Sequence, residues 1–256
     1  LVLDDAASHL AAERGAFDVI VGDLVVPWRR GEAALLAREH FERARAALRP
    51  GGLFCVWLPL YQLGARELEC VLATFQDVFP RATLWRGDWV AGLPTLGLVG
   101  TLDERPLDVA AIDARVTARA AGLVQDSRYL AHPAGLWLHL VGALEPSTGF
   151  HALPRNTQDR PVLELGLERD GERFLDGERL QPFLERIGAL GPRGPLAGLD
   201  ALHLSWRHEG EQLFRASTLA ERGREEEARM LAFEVLGRLP AEIQASLSPS
   251  SGSGQR

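Results

Sequence analysis

Over the first hundred positions, unbroken apolar runs alternate with stretches spaced for a helix. "LVLDD" (1 to 5), "DVIVG" (18 to 22) and "LFCVWL" (53 to 58) are such runs. They read as strands buried on both faces. Between them, residues 6 to 14 are Ala-rich and Gly15 closes them. Residues 33 to 48 put Leu36, Phe41, Ala44 and Leu48 on one helical face, and "RPGG" (49 to 52) stops that helix. Residues 65 to 79 put Leu68, Val71, Leu72, Phe75, Val78 and Phe79 on one side, and Pro80 ends the run. "ATLWR" (82 to 86) and "TLGLVGT" (95 to 101) read as a final strand pair. This alternation predicts an α/β fold over residues 1 to 101, with a mainly parallel sheet covered by helices on both faces.

The pattern is less regular beyond residue 101. Residues 102 to 118 read as a charged linker and 117 to 145 as helical with a break at Pro133. "HALPRNTQDRPVLEL" reads as a loop and a short strand, closing a segment 102 to 165. Asp159 and Arg160 of "NTQDRP" can pair locally, or this loop can close over a cleft. Residues 166 to 198, charged and rich in Gly and Pro, predict irregular structure. Residues 199 to 247 carry two helical patterns split by "ERGRE", the second marked by Ala228, Leu231, Ala232, Val235 and Leu236. They resemble one tetratricopeptide-type hairpin; a single hairpin makes no solenoid and serves as a packing appendage. Residues 248 to 256 read as a disordered tail.

Two of the early strands end on acids, Asp5 and Asp23. Parallel strands with right-handed crossovers bring their carboxyl ends to one edge, where open α/β sheets bind ligands. Asp23 can be a general base, a cation anchor or a helix cap. Asp5 suits an N-cap, and equally an acceptor for an adenine amino group. Trp28 follows Pro27 beside the expected crevice.

The net charge of -7 argues against a nucleic-acid surface. Cys55 and Cys70 fall within apolar patterns and predict buried, reduced thiols, which fits a cytoplasmic protein. No apolar run reaches the roughly 18 residues that cross a bilayer, and there is no signal peptide pattern. The chain opens on Leu1 inside an apolar run and its one methionine is Met230, so we expect it to be the C-terminal part of a longer protein. His203 and His208 lack partners at metal-ligand spacing, so no metal is expected. His40 is expected on a helix surface. There is no nucleophile elbow and no phosphate loop.

"LDDAASHL", "FDVIVGDLVVPW", "REHFERARAALRPGGLFCVWLPLYQL" and "LATFQDVFPRATLW", in this order and spacing, resemble the second half of the nucleoside-binding domain of spermidine synthases, the aminopropyltransferases. "WLPLYQL" and "NTQDRPVLEL" resemble the bacterial spermidine-synthase-like proteins often fused to a transporter-like membrane segment. The resemblance covers residues 1 to about 165. It implies a partial Rossmann-like, methyltransferase-type fold with a helical C-terminal extension. It implies decarboxylated S-adenosylmethionine or S-adenosylmethionine as co-substrate, a small-molecule amine as acceptor, and no metal. Asp5 and Ala6 match the pair that contacts adenine. Asp23 matches the first acid of the Asp-x-x-Asp-Pro motif, the base that deprotonates the attacking amine, and Leu24 and Pro27 of the same stretch are expected against the nucleoside. Trp28, Trp57, Tyr61 and Gln62 are expected to line the acceptor pocket. A membrane-anchored segment upstream of Leu1 fits this relationship, and a homodimer is left open.

The departures bear on activity. Val26 replaces the motif's second acid, and Trp57 and Pro59 replace a Gln and a Glu on the following strand. Losing one partner of a buried ion pair costs about 3–5 kcal/mol, so a dicationic diamine is a poor acceptor. The family's glycine-rich loop and ribose-binding acid precede the matching region, so we expect residues 1 to 256 alone to bind the nucleoside weakly and to be inactive. Two other readings stay open: an S-adenosylmethionine-dependent methyltransferase, and a non-catalytic remnant acting as a binding module.

Overall fold

The computed structural model describes residues 3–27, 29, 31–102, 105–119, 129–144, 153–165 and 174–247. Trp28 lies outside them, as does the tail from residue 248. The described residues form two compact units, one of residues up to Pro106 with Val141–Ala197, the other of Leu107–Leu140 with the residues from Gly198 on.

The first unit is α/β. Helix α1 (Ala6–Ala12) precedes strand β1 (Phe17–Gly22); a 3-10 turn (Glu32–Leu36) leads into α2 (Arg38–Ala47) and β2 (Leu48–Pro59); α3 (Ala65–Val78), β3 (Ala82–Arg86) and β4 (Thr95–Thr101) follow. With β5 (Leu140–Leu144) these strands form one sheet in the order β1-β2-β4-β3-β5. β1 and β2 pair in parallel, Ile20 opposite Phe54 and Gly22 opposite Val56. β4 is antiparallel to both β2 and β3. Hence β1, β2 and β3 share a direction, and β4 is inserted against it. The expected parallel character holds for strand direction, whereas two of these three ladders are antiparallel. The reason is local: only eight residues separate β3 from β4, too few for the dozen-residue crossover that a parallel pair requires.

Phe41, Phe54, Phe75 and Phe79 pack α2 and α3 onto β2, with ring centroids 5.0–6.0 Å apart. All four are buried. Cys55 and Cys70 are free and buried, and burial pushes both thiols up to about 11. Inert thiols of this kind belong to the packing rather than to chemistry.

Three local differences from the sequence pattern have physical causes. The helix expected over 33 to 48 is split at Ala37, whose backbone is extended (φ -86°, ψ 153°). The strand expected after "NTQDRP" is a single helical turn, α6 (Val162–Leu165), following Pro161. Within the stretch expected to be irregular, α7 (Gly177–Gly188) is capped by Asp176 and buries Leu180, Leu184 and Ile187. Pro182 lies inside the helix, past its first turn, and hid it in the sequence; the buried Leu180, Leu184 and Ile187 face and the Asp176 cap hold the helix across the lost Pro182 donor.

The second unit is helical: α4 (Val109–Ala118), α5 (Pro133–Trp137), α8 (Ala201–Glu221), α9 (Glu225–Arg238) and α10 (Ala241–Leu247). The linker expected over 102 to 118 thus contains α4, and Pro133 starts α5 rather than breaking a longer helix. α8 and α9 are joined through Gly223 at φ +74°, the left-handed conformation that glycine adopts without penalty. No described helix is long and apolar enough to cross a membrane.

Candidate functional site

A cavity of about 400 Å³ runs along β1 from Phe17 to Asp23, just beyond the strand's carboxyl end. Its sheet side is built by β1, from Phe17 to Gly22, and by Phe54 and Val56 of β2; Ala6, His9 and Leu10 of α1, Leu35, and His40 of α2 form the facing wall. Asp23, one residue past the end of β1, stands at its rim. The walls are mainly apolar because β1 contributes Val19, Ile20 and Val21 in succession, and β2 contributes Phe54 and Val56 opposite Ile20 and Gly22.

The sequence-predicted residues divide around this cavity. Ala6 and Asp23 line it. Asp23 is exposed, and its Oδ1 accepts the Leu24 amide at 2.8 Å. Asp5 follows Asp4 and precedes Ala6 but is not among the lining residues; the described residues 3 to 5 are not the strand expected of "LVLDD", and the Asp5 Oδ1 instead accepts the Ser8 amide at 2.8 Å and caps α1. That backbone hydrogen bond holds its carboxyl below the usual range. Leu24 is exposed and Pro27 buried, and neither touches the cavity. Trp28 lies outside the described residues. Trp57 takes the opposite face of β2 from Phe54 and Val56, by strand alternation. Its ring covers Gly97 on β4, where an added Cβ would meet Trp57 Cζ3 at 2.9 Å. Tyr61 and Gln62 form a short 3-10 turn beyond β2, at the same sheet edge as Asp23 but outside the cavity. The Gln62 Oε1 atom is buried without a hydrogen-bond partner.

Four residues that the sequence did not assign to the site shape it. His40 is 6% exposed rather than on a helix surface. Burial, with Arg43 nearby, pushes its pKa down to about 4 against the opposing pull of Asp5, so the ring is neutral at pH 7. Glu32 closes the loop that follows Asp23: its Oε2 accepts the Val26 amide at 2.8 Å and its Oε1 pairs with Arg29 at 2.9 Å. Those two contacts, the Val26 amide first, hold the Glu32 carboxyl low. Glu164 accepts the Gly31 amide at 2.7 Å, where φ is +88°.

Asn156 of "NTQDRP" is the fourth. It is buried; its backbone amide donates to Thr74 Oγ1, its Nδ2 to the Ala33 carbonyl, and its carbonyl accepts the Arg38 amide, all at 2.9–3.0 Å. Arg155 adds a two-pronged contact to Asp77 at 3.0 Å. "NTQDRP" is therefore a strap across the 3-10 turn, α2 and α3, behind the wall that carries Leu35 and His40. Its asparagine carries the weight that the sequence had assigned to Asp159 and Arg160. Among the described residues, no group of His, Cys, Asp and Glu could hold a metal ion.

Fold and cavity together define an α/β protein with an apolar pocket rimmed by a carboxylate at a strand's carboxyl end. No protein-family model matches this chain, and no curated protein matches it. Among solved structures, a probable spermidine synthase from Corynebacterium glutamicum aligns with a TM-score of 0.35 and 21% sequence identity. That alignment covers 45% of this chain and 44% of the other, so the chain spans less than half the length of that protein.

Proposed function

We propose that this chain carries the base and one wall of the donor site of an aminopropyltransferase-like enzyme. The reaction moves an aminopropyl or related group from a decarboxylated S-adenosylmethionine-type donor to a small amine. The observation that carries this reading is Asp23 at the mouth of the apolar cavity at the end of β1. An exposed carboxylate there reaches an amine arriving from solvent and accepts its proton. The amine lone pair then forms the C–N bond, the C–S bond breaks, and its electron pair stays on sulfur as a neutral thioether. The sulfonium needs no acid to leave, so positioning supplies most of the acceleration. A neutral His40 suits this donor, because an imidazolium in the wall would repel the sulfonium.

Ala6 contributes to the wall against the nucleoside, and Asp5, at the N-terminus of α1, remains the candidate for the adenine amino group. Leu24 and Pro27 remain candidates on the nucleoside side, and Trp28 a candidate for the acceptor side. Trp57, Tyr61 and Gln62 remain candidates for the acceptor side, at the sheet edge beyond the cavity. With Val26 where a second acid would stand, the acceptor is a monoamine or another amine of low charge rather than a diamine. A homodimer and a membrane-anchored parent belong to this proposal as well.

The test offers the longer parent of this proposal, rather than residues 1 to 256 alone, donors with and without the carboxyl group, together with amines of one and two charges. The expected result is transfer from the decarboxylated donor to the less charged amine. Asp23→Asn should lower turnover at least about a hundredfold, the scale of a lost general base, with an unchanged melting temperature. Transfer of a methyl group from the carboxylated donor would contradict the proposal, as would turnover indifferent to Asp23→Asn.

A further inference from the structure

The helical unit contains a buried histidine held between two acids. His203, in the first turn of α8, is 7% exposed. Its Nδ1 lies 2.6 Å from Asp200 Oδ1 and its Nε2 lies 3.0 Å from Asp113 Oδ2. Asp200 is the N-cap of α8, and the same Oδ1 accepts the amides of Leu202 and His203. Asp113 comes from the middle of α4, and its Oδ1 accepts Trp137 Nε1 of α5 at 2.7 Å. The indoles of Trp137 and Trp206 meet the imidazole edge-on at 5.3 and 5.2 Å and keep water from it. Three helices thus converge on one ring. Among the described residues, the charged groups that act on it are Asp113 from α4 and Asp200 from α8, while α5 contributes only the uncharged Trp137.

A neutral imidazole has one N–H, and here both nitrogens face carboxylate oxygens. Only the imidazolium donates to both. We propose that His203 is a proton-operated latch that ties α4 to the N-terminus of α8 when protonated and releases α4 when it loses its proton. The contact to Asp200 is local and shorter, and it sits on oxygens already fixed by the helix cap, so the remaining proton stays on Nδ1. The bare Nε2 lone pair then faces the Asp113 carboxylate, and the link between α4 and α8 is the one that opens.

Burial by itself would lower the His203 pKa, but the hydrogen bonds to Asp113 and Asp200, with their charges, outweigh it and raise the value above 6.5. The sign follows from that direction. The latch contributes its full stabilisation below the unfolded-state pKa of about 6.5. It loses that contribution as pH rises through the higher folded-state value.

The experiment is an NMR titration of the histidine ring signals of the 256-residue chain, with amide exchange followed across the same range and corrected for intrinsic base catalysis. His203 is assigned by its loss in His203→Gln. We expect His203 to titrate above 6.5, and protection of the α4 amides to fall at least about tenfold as pH passes its midpoint, with the nearby α8 amides less affected. Asp113→Asn should lower the His203 midpoint and flatten the exchange response. This variant keeps a hydrogen-bonding side chain beside Trp137 and serves if His203→Gln does not fold. A midpoint at or below 6.5, or α4 protection that ignores the titration, overturns the latch.

Discussion

At the scale of single residues, two side chains in the first unit illustrate how polarity inside a core is handled. Asn156 satisfies its groups through partners from three directions. Truncation leaves the Ala33 carbonyl and the Leu163 amide without it. Asn156→Ala should therefore cost about 2–4 kcal/mol in a denaturant melt, as expected for a buried polar group that leaves its partners unpaired. His40 is the opposite case, a ring whose Nδ1 has no partner. Its folded pKa, about 4, lies below the unfolded 6.5. The folded state binds fewer protons between those values, so its contribution is present above about pH 6.5 and is lost as pH falls toward 4. The limiting size is on the order of 3 kcal/mol. His40→Phe should flatten the stability profile between pH 6.5 and 4, measured by denaturant melts at each pH. An unchanged acid slope would contradict this assignment. Neither residue advertised itself. A lone His in an amphipathic helix reads as surface until the neighbouring strand is known, and a loop Asn reads as solvent-facing.

Among elements, legibility followed the strength of the apolar pattern. The runs at 18 to 22 and 53 to 58 fall within β1 and β2, and the stretch at 65 to 79 matches α3 to within one residue, because each is long or continuous enough to have one reading; the run at 18 to 22, expected buried on both faces, is the edge strand β1 and leaves Val19 and Val21 exposed. "LVGAL" did not: five apolar residues fit a helix or a strand equally well, and only the place beside β3 makes them β5. Sheet order was not legible either, since the insertion of β4 between β2 and β3 is a consequence of a short connection rather than of composition. The position of Asp23 at a strand end was legible, and the cavity beside it was not, because its walls come from α1 and α2 as much as from the strands. That close packing has a testable mark on β4. A Cβ on Gly100 would lie 2.4 Å from Phe79 Cγ. Gly100→Ala should destabilise the first unit by about 1–3 kcal/mol, the range for overpacked cores; a thermal melt equal to that of the unmodified chain would show that α3 yields without strain.

For the whole molecule, the two units respond to pH with opposite signs through their buried histidines. His40 makes the α/β unit less stable in acid, and His203 makes the helical unit less stable in base. Peptide-resolved hydrogen exchange at pH 5, 7 and 9 reads the two separately. His40→Phe and His203→Gln should each remove one response and leave the other. The functional account places its weight on the α/β unit, where a carboxylate, a neutral imidazole and an apolar wall line one cavity along β1. The most direct measurement is an NMR titration of the chain with methylthioadenosine up to millimolar concentration. The account predicts weak binding, with shift changes grouped at Ala6, Val21, Asp23 and His40. No shift changes, or changes grouped away from the end of β1, would contradict it.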